Sequence, residues 1–193
     1  MKNEHINLMI SDKYLDKNNI LIGCDLDYSK KIIAPDGHEL ALIAYIPIKK
    51  ILLEFPEILK HVKEQDIATK SIYIFSYYDK EEYFLDYITE IDDAQQGYTK
   101  VIIAESEHFQ FNLDNFYSLI PNKQSDGMTF FGGNPEFLQE ESLDFHQEYI
   151  FLGQILGMDL PNNIEDIFYL TGNVGYIFIK KDLSDGLFFV QST

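Results

Sequence analysis

The stretch Thr129-Phe-Phe-Gly-Gly-Asn-Pro-Glu-Phe-Leu-Gln139 constrains this chain more than any other. Two adjacent glycines admit φ > 0, which other L-residues rarely adopt, and Pro135 fixes φ on the way out. A tight backbone turn flanked by aromatic residues is therefore expected here. Downstream, Tyr149-Ile-Phe-Leu-Gly-Gln-Ile155 returns to a strand pattern that carries Gln154 among apolar residues. A buried amide needs partners, so Gln139 and Gln154 are expected to bond backbone groups and pin the turn against that strand. The alternative use of Gly132, Gly133, Gln139 and Gln154 is to contact a ligand in a pocket beside the turn.

A chain of 193 residues is expected to form one domain over residues 1–193, with a core large enough to need neither metal nor disulfide. Fifteen Phe and thirteen Tyr point to sheet-rich packing. The single Cys24 cannot form an internal disulfide, which suits a reducing compartment. The start, Met1-Lys-Asn-Glu-His-Ile, lacks a signal-type apolar run, and no run approaches the ~20 residues of a membrane span. A cytoplasmic protein without membrane contact is the expectation.

Along the chain, Pro35-Asp36-Gly37 predicts a hairpin turn between β-prone residues. From Ile48 to Val62 the apolar residues recur at three- and four-residue steps, the stripe of a helix, with Pro56 inside it. That proline predicts either a kink or a second helical start. Ser71–Tyr78, Tyr98–Ala104, Tyr149–Leu156, Ile167–Leu170, Tyr176–Ile179 and Leu187–Val190 read as strands. Glu81–Ile91 shows helical spacing, His108–Leu113 alternates like an edge strand, and Asn112–Ile120 reads as a short helix. The sum predicts an α+β fold: mostly antiparallel, aromatic-rich sheets with a few packed helices.

Thirty-two acids against fifteen bases leave a formal net charge of −17, and every base is Lys. Such a surface repels phosphate backbones and anionic membranes, which argues against nucleic-acid binding. Between Gln124 and Ile179 stand Asp126, Glu136, Glu140, Glu141, Asp144, Glu148, Asp159, Glu165 and Asp166, with no Lys among them. This segment has no internal counter-charge and would suit a basic partner, with Glu140, Glu141 and Asp144 as its centre.

Chemistry-bearing clusters are sparse. Asp144-Phe-His-Gln-Glu148 beside Glu140 and Glu141 has metal-type ligands, but no second His lies near, so no metal is expected. Cys24 has Asp25 and Asp27 beside it, which raise rather than lower a thiol pKa. His38 beside Glu39 is a formal acid–base pair on a turn, and its plainer role is an exposed hairpin residue. No Gly-x-Ser-x-Gly elbow or phosphate-cradling loop occurs, and Gly172-Asn-Val-Gly175 leads into a strand, unlike a dinucleotide site. No cofactor is expected.

At Phe131-Gly-Gly-Asn-Pro135, Gln139, Phe151-Leu-Gly-Gln-Ile155 and Gly172-Asn-Val-Gly-Tyr-Ile-Phe-Ile179 the chain resembles the YwqG-like family of bacterial proteins. The likeness runs from about Thr129 to the C-terminus. Asn173 departs from the Asp of the family's Gly-Asp-x-Gly turn. The resemblance implies a fold more than a reaction, and acidic relatives of such domains look like immunity proteins that neutralise toxins. The expected function is a non-enzymatic, cytoplasmic protein-binding module, of immunity type if its partner is a basic toxin domain. The alternative is a small-ligand binder or enzyme with a pocket beside Gly132-Gly133. A homodimer through exposed strand edges is a third reading.

Overall fold

Short runs of β-branched and aromatic residues, each ended by Gly, Pro, Asp or Asn, leave little length for helices. The computed structural model describes residues 5–60, 62, 67–89, 91, 94–122, 127–139 and 148–192. Ten strands form: β1 (His5–Ser11), β2 (Ile20–Asp25), β3 (Ala41–Pro47), β4 (Lys70–Ser76), β5 (Thr99–Glu105), β6 (Phe116–Pro121), β7 (Phe130–Gly132), β8 (Tyr149–Leu156), β9 (Val174–Lys180) and β10 (Gly186–Gln191). They close into one barrel in the order β1-β6-β2-β3-β4-β5-β10-β9-β8-β7. Every pairing is antiparallel. The α+β expectation is thereby corrected. The fold is nearly all-β, and the described α-helices are only α1 (Ile48–Glu54) and α2 (Leu85–Thr89).

The strongest helical stripe forms a helix only as far as Glu54, for a local reason. Pro56 disfavours helical geometry in the residue before it, and Phe55 leaves the helix at φ −132°, ψ 49°. The rest of the stripe is spent in turns, closed by Ile58 N–H to the Phe55 carbonyl at 3.0 Å and Val62 N–H to the Leu59 carbonyl at 2.9 Å. Its apolar residues are buried all the same, Ile51, Phe55, Ile58 and Leu59 among them. Hydrophobic spacing marked the helix as far as Glu54 and most of the buried residues beyond it, but not their turn backbone.

Three shorter expectations are also corrected. His108–Leu113 is not a strand, because residues 106–115 form the connection from β5 to β6. Asn112–Ile120 is not a helix. It makes one tight turn at Leu113–Asn115, capped by the Asn112 side chain, and then continues as β6. Ile167–Leu170 lies in a run of turns between β8 and β9. The Pro35-Asp36-Gly37 turn forms, with Gly37 at φ 94°, but only the single bridge Ile33↔Glu39 flanks it.

The topology explains why β3 is buried along its whole length. β5 and β6 are sequential yet lie on either side of β4, β3 and β2, so their connection must cross those strands. It lays Phe109 on Tyr73 and Phe75, with ring centroids 4.9 and 5.1 Å apart, and Phe111 on Tyr45 at 5.2 Å. These strands therefore have no solvent face, which is why alternation is absent from their sequences. A second, smaller core of Val174, Tyr176, Phe178, Leu187 and Phe189 lies on one face of β9 and β10, covered by Phe137 and Leu138.

α1 begins directly after β3, yet Phe55 packs on Phe131 of β7 at 5.5 Å between ring centroids. β7 stands four places from β3 around the ring. Residues 48–60 must therefore cross one end of the barrel as a plug. The candidate site lies beside that plug.

Candidate functional site

Where the plug meets β1, β7 and β8 there is a cavity of about 390 Å³. Its barrel wall is Ile6, Phe131, Tyr149, Ile150 and Phe151, and its second wall is Gly132 to Pro135. The plug contributes Glu54, Phe55, Pro56, Glu57, Ile58 and Lys60. Gly132 and Gly133 have φ of 77° and 70°, so the chain turns sharply out of β7 and forms the cavity's edge. Register puts Ile6 opposite Phe131, and Phe131 opposite Gly153. A Cβ on Gly153 would lie 2.1 Å from Phe131 Cδ1, so this glycine lets the Phe131 ring lie against the strand.

The charged side chains of the cavity sit on the plug, while Asn134 and Tyr149 add polar groups on the other walls. Glu54 Oε1 is 2.8 Å from Lys50 Nζ, one helical turn earlier. Its Oε2 is buried with no hydrogen-bond partner among the described residues. Glu57 is 3.7 Å from Lys60 at the outer rim. Glu54, Phe55 and Lys60 belong to no motif of the sequence. The available signal was Pro56, which ends the helix and frees the next residues to line a cavity.

The sequence-derived candidates divide between two places. Gly132 and Gly133 line the cavity. Gln154 is fully buried, and its Oε1 accepts from the Glu136 amide at 2.8 Å. Gln139 donates from Nε2 to the Ser192 carbonyl at 2.9 Å. Neither glutamine lines the cavity. Both belong instead to a fastening of residues 134–139 onto the barrel. Tyr176 donates its hydroxyl to the Glu136 carbonyl at 2.8 Å, and Gln191 Oε1 accepts from the Leu138 and Gln139 amides at 2.9 and 3.2 Å. Burial, opposed by the Leu138 amide that donates to it, pushes the Tyr176 hydroxyl up to about 12. Tyr176 and Gln191 lay unnoticed among strand residues. Glu140, Glu141 and Asp144 fall outside the described residues.

Elsewhere the reactive-looking residues are engaged. Burial pushes the Cys24 thiol up to about 12, with Asp166 and then Asp25 adding to the rise and Lys80 opposing it. Such a thiol is a poor nucleophile near neutral pH. His38 stacks on Tyr77 at 4.1 Å, and its Nε2 lies 3.2 Å from the Tyr78 carbonyl, while Glu39 pairs with Lys31 at 3.1 Å. Among the described residues no group of three His, Cys, Asp or Glu gathers around a common point. No helix among them is long and apolar enough to cross a membrane.

No protein-family model matches the chain, and neither does any curated protein or solved structure.

Proposed function

We propose that this chain is a non-enzymatic binding protein of YwqG-like kind that takes a small ligand into the cavity beside Gly132-Gly133. What supports the reading is one coincidence: the adjacent positive-φ glycines Gly132 and Gly133 border a cavity of about 390 Å³. Cavities of about 300–1,000 Å³ with apolar walls and a few polar groups are the usual form of small-ligand sites, and barrel mouths are a frequent place for them. Screening a metabolite panel by thermal shift tests it. A ligand should raise the melting temperature of the wild type and not of Asn134→Trp, which places an indole at the exposed rim. A panel hit that Asn134→Trp and Ile150→Trp both retain would remove the cavity from consideration.

A second reading keeps the protein-binding module with a basic partner, of which an immunity-type interaction is one form. The charge pattern favours it: nine acids and no Lys between Gln124 and Ile179. Charge reversal at Glu140, Glu141 and Asp144 should weaken capture of such a partner and flatten its salt dependence. Unchanged affinity would count against that face.

A further inference from the structure

Two cations and two carboxylates stand on or beside the cavity's plug wall, and they are unequally engaged. Lys60 is held by Glu57, and Lys50 by Glu54 Oε1. Each cation thus already has a carboxylate, and the chain contains no Arg to offer an anion a planar fork. An anionic ligand would have to break one of these pairs while approaching a protein of net charge −17. Glu54 Oε2, by contrast, is withdrawn from water and has no donor among the described residues. A carboxylate oxygen in that condition gains most from a charged N–H donor. Much of the remaining lining is rings and branched chains, Phe55, Phe131, Phe151 and Ile150 among them, with Asn134 and Tyr149 as further polar groups.

We infer that the cavity's ligand is a small amphipathic amine, with its ammonium group on the Glu54 carboxylate and its apolar body among Phe55, Phe131 and Phe151. The inference rests on the reading of this cavity as a ligand site. The ammonium takes Oε2 while Lys50 keeps Oε1, since a carboxylate has lone pairs for both. The ring faces favour a cation further, because their π-electrons carry partial negative charge. Lys50 then sets the affinity: its charge on Oε1 already offsets the carboxylate charge that the ligand's ammonium needs.

Isothermal titration with three probes of one shape tests the inference: 2-phenylethylamine, 2-phenylethanol and 3-phenylpropionate. The amine should bind about tenfold or more tighter than the other two, the worth of one charged hydrogen bond. Glu54→Gln should abolish that preference and leave the alcohol's affinity unchanged. Lys50→Met should move the other way and tighten the amine several-fold, which a merely structural role for the pair would not do. If the alcohol or the carboxylate binds as well as the amine, and Asn134→Trp abolishes that binding, the amine inference fails while the cavity reading stands. If no probe binds the wild type, both fall.

Discussion

Gln154 and Glu136 are eighteen residues apart and joined by one hydrogen bond, from the Glu136 amide to Gln154 Oε1 at 2.8 Å. The bond carries the exit of the Gly132-Gly133 turn back onto β8, and Tyr176 closes the same loop from β9 through the Glu136 carbonyl. Gln154 Nε2 has no hydrogen-bond partner among the described residues, so the side chain is retained for its acceptor. Gln154→Ala should lower unfolding free energy by about 1–3 kcal/mol, the cost of leaving the Glu136 amide unpaired. Urea denaturation measures it, and a loss within error of zero would mean that the turn holds without this bond.

Two glycine substitutions separate conformational from steric demand. Gly133→Ala forces an L-residue to φ 70° and should cost about 1–2 kcal/mol. Gly153→Ala should cost more, about 3 kcal/mol, because its Cβ would lie 2.6 Å from the Phe130 carbonyl oxygen as well as against the Phe131 ring. A backbone carbonyl in a paired strand cannot swing aside as a side chain does. Equal losses for the two variants would contradict this ordering.

Thr129 offers a cleaner deletion. Its hydroxyl donates to Asp159 Oδ2 at 2.5 Å and accepts from the Leu156 amide at 3.0 Å. Thr129→Val preserves shape and removes both bonds, so it should cost about 2 kcal/mol in the same denaturation experiment. Thr129→Ser should recover most of that loss.

Alkaline pH should unfold this protein progressively. Cys24 is raised from an ordinary 9.0 to about 12 by burial and Asp166, and Tyr77 and Tyr176 from 10.0 to about 12, chiefly by burial. Folded values above unfolded ones mean that the folded state holds these protons more tightly. The stability they contribute is complete below pH 9 and drains away as pH rises towards 12. Stability measured stepwise over that window should fall, with tyrosinate absorbance rising in the same steps. A flat profile to pH 11 would refute it.

The same shift protects Cys24. Raising a thiol from 9.0 to about 12 leaves roughly a thousandfold less thiolate at pH 8. A chromogenic disulfide reagent should label the native protein very slowly and the urea-unfolded protein within its ordinary time. Fast native labelling would show that this part of the barrel opens.

The residues themselves carried a good deal of this molecule. β4, β5, β8, β9 and β10 follow from runs of β-branched and aromatic residues, because strand formation there needs only local side-chain preference and the next turn signal. The positive φ at Gly132 and Gly133 follows from residue type. The poor thiol at Cys24 is expected from its neighbours, but burial and the distant Asp166 raise it more than Asp25 does. Other features depend on contacts far along the chain. The stripe Ile48–Val62 has helical spacing, but its residues cap a barrel end, and burial by a plug needs only that the right faces turn inward. Phe116–Pro121 lacks any helix-breaking residue before its end and becomes a strand because β1 and β2 supply its hydrogen-bond partners. The cavity is the clearest case. Phe55 and Phe131 are seventy-six positions apart, and only closure of the sheet brings the plug to β7. Local propensity acts over a few residues. The ring that forms the site comes from pairings such as β1 with β7, whose partners are more than a hundred residues apart and which no short window of sequence contains.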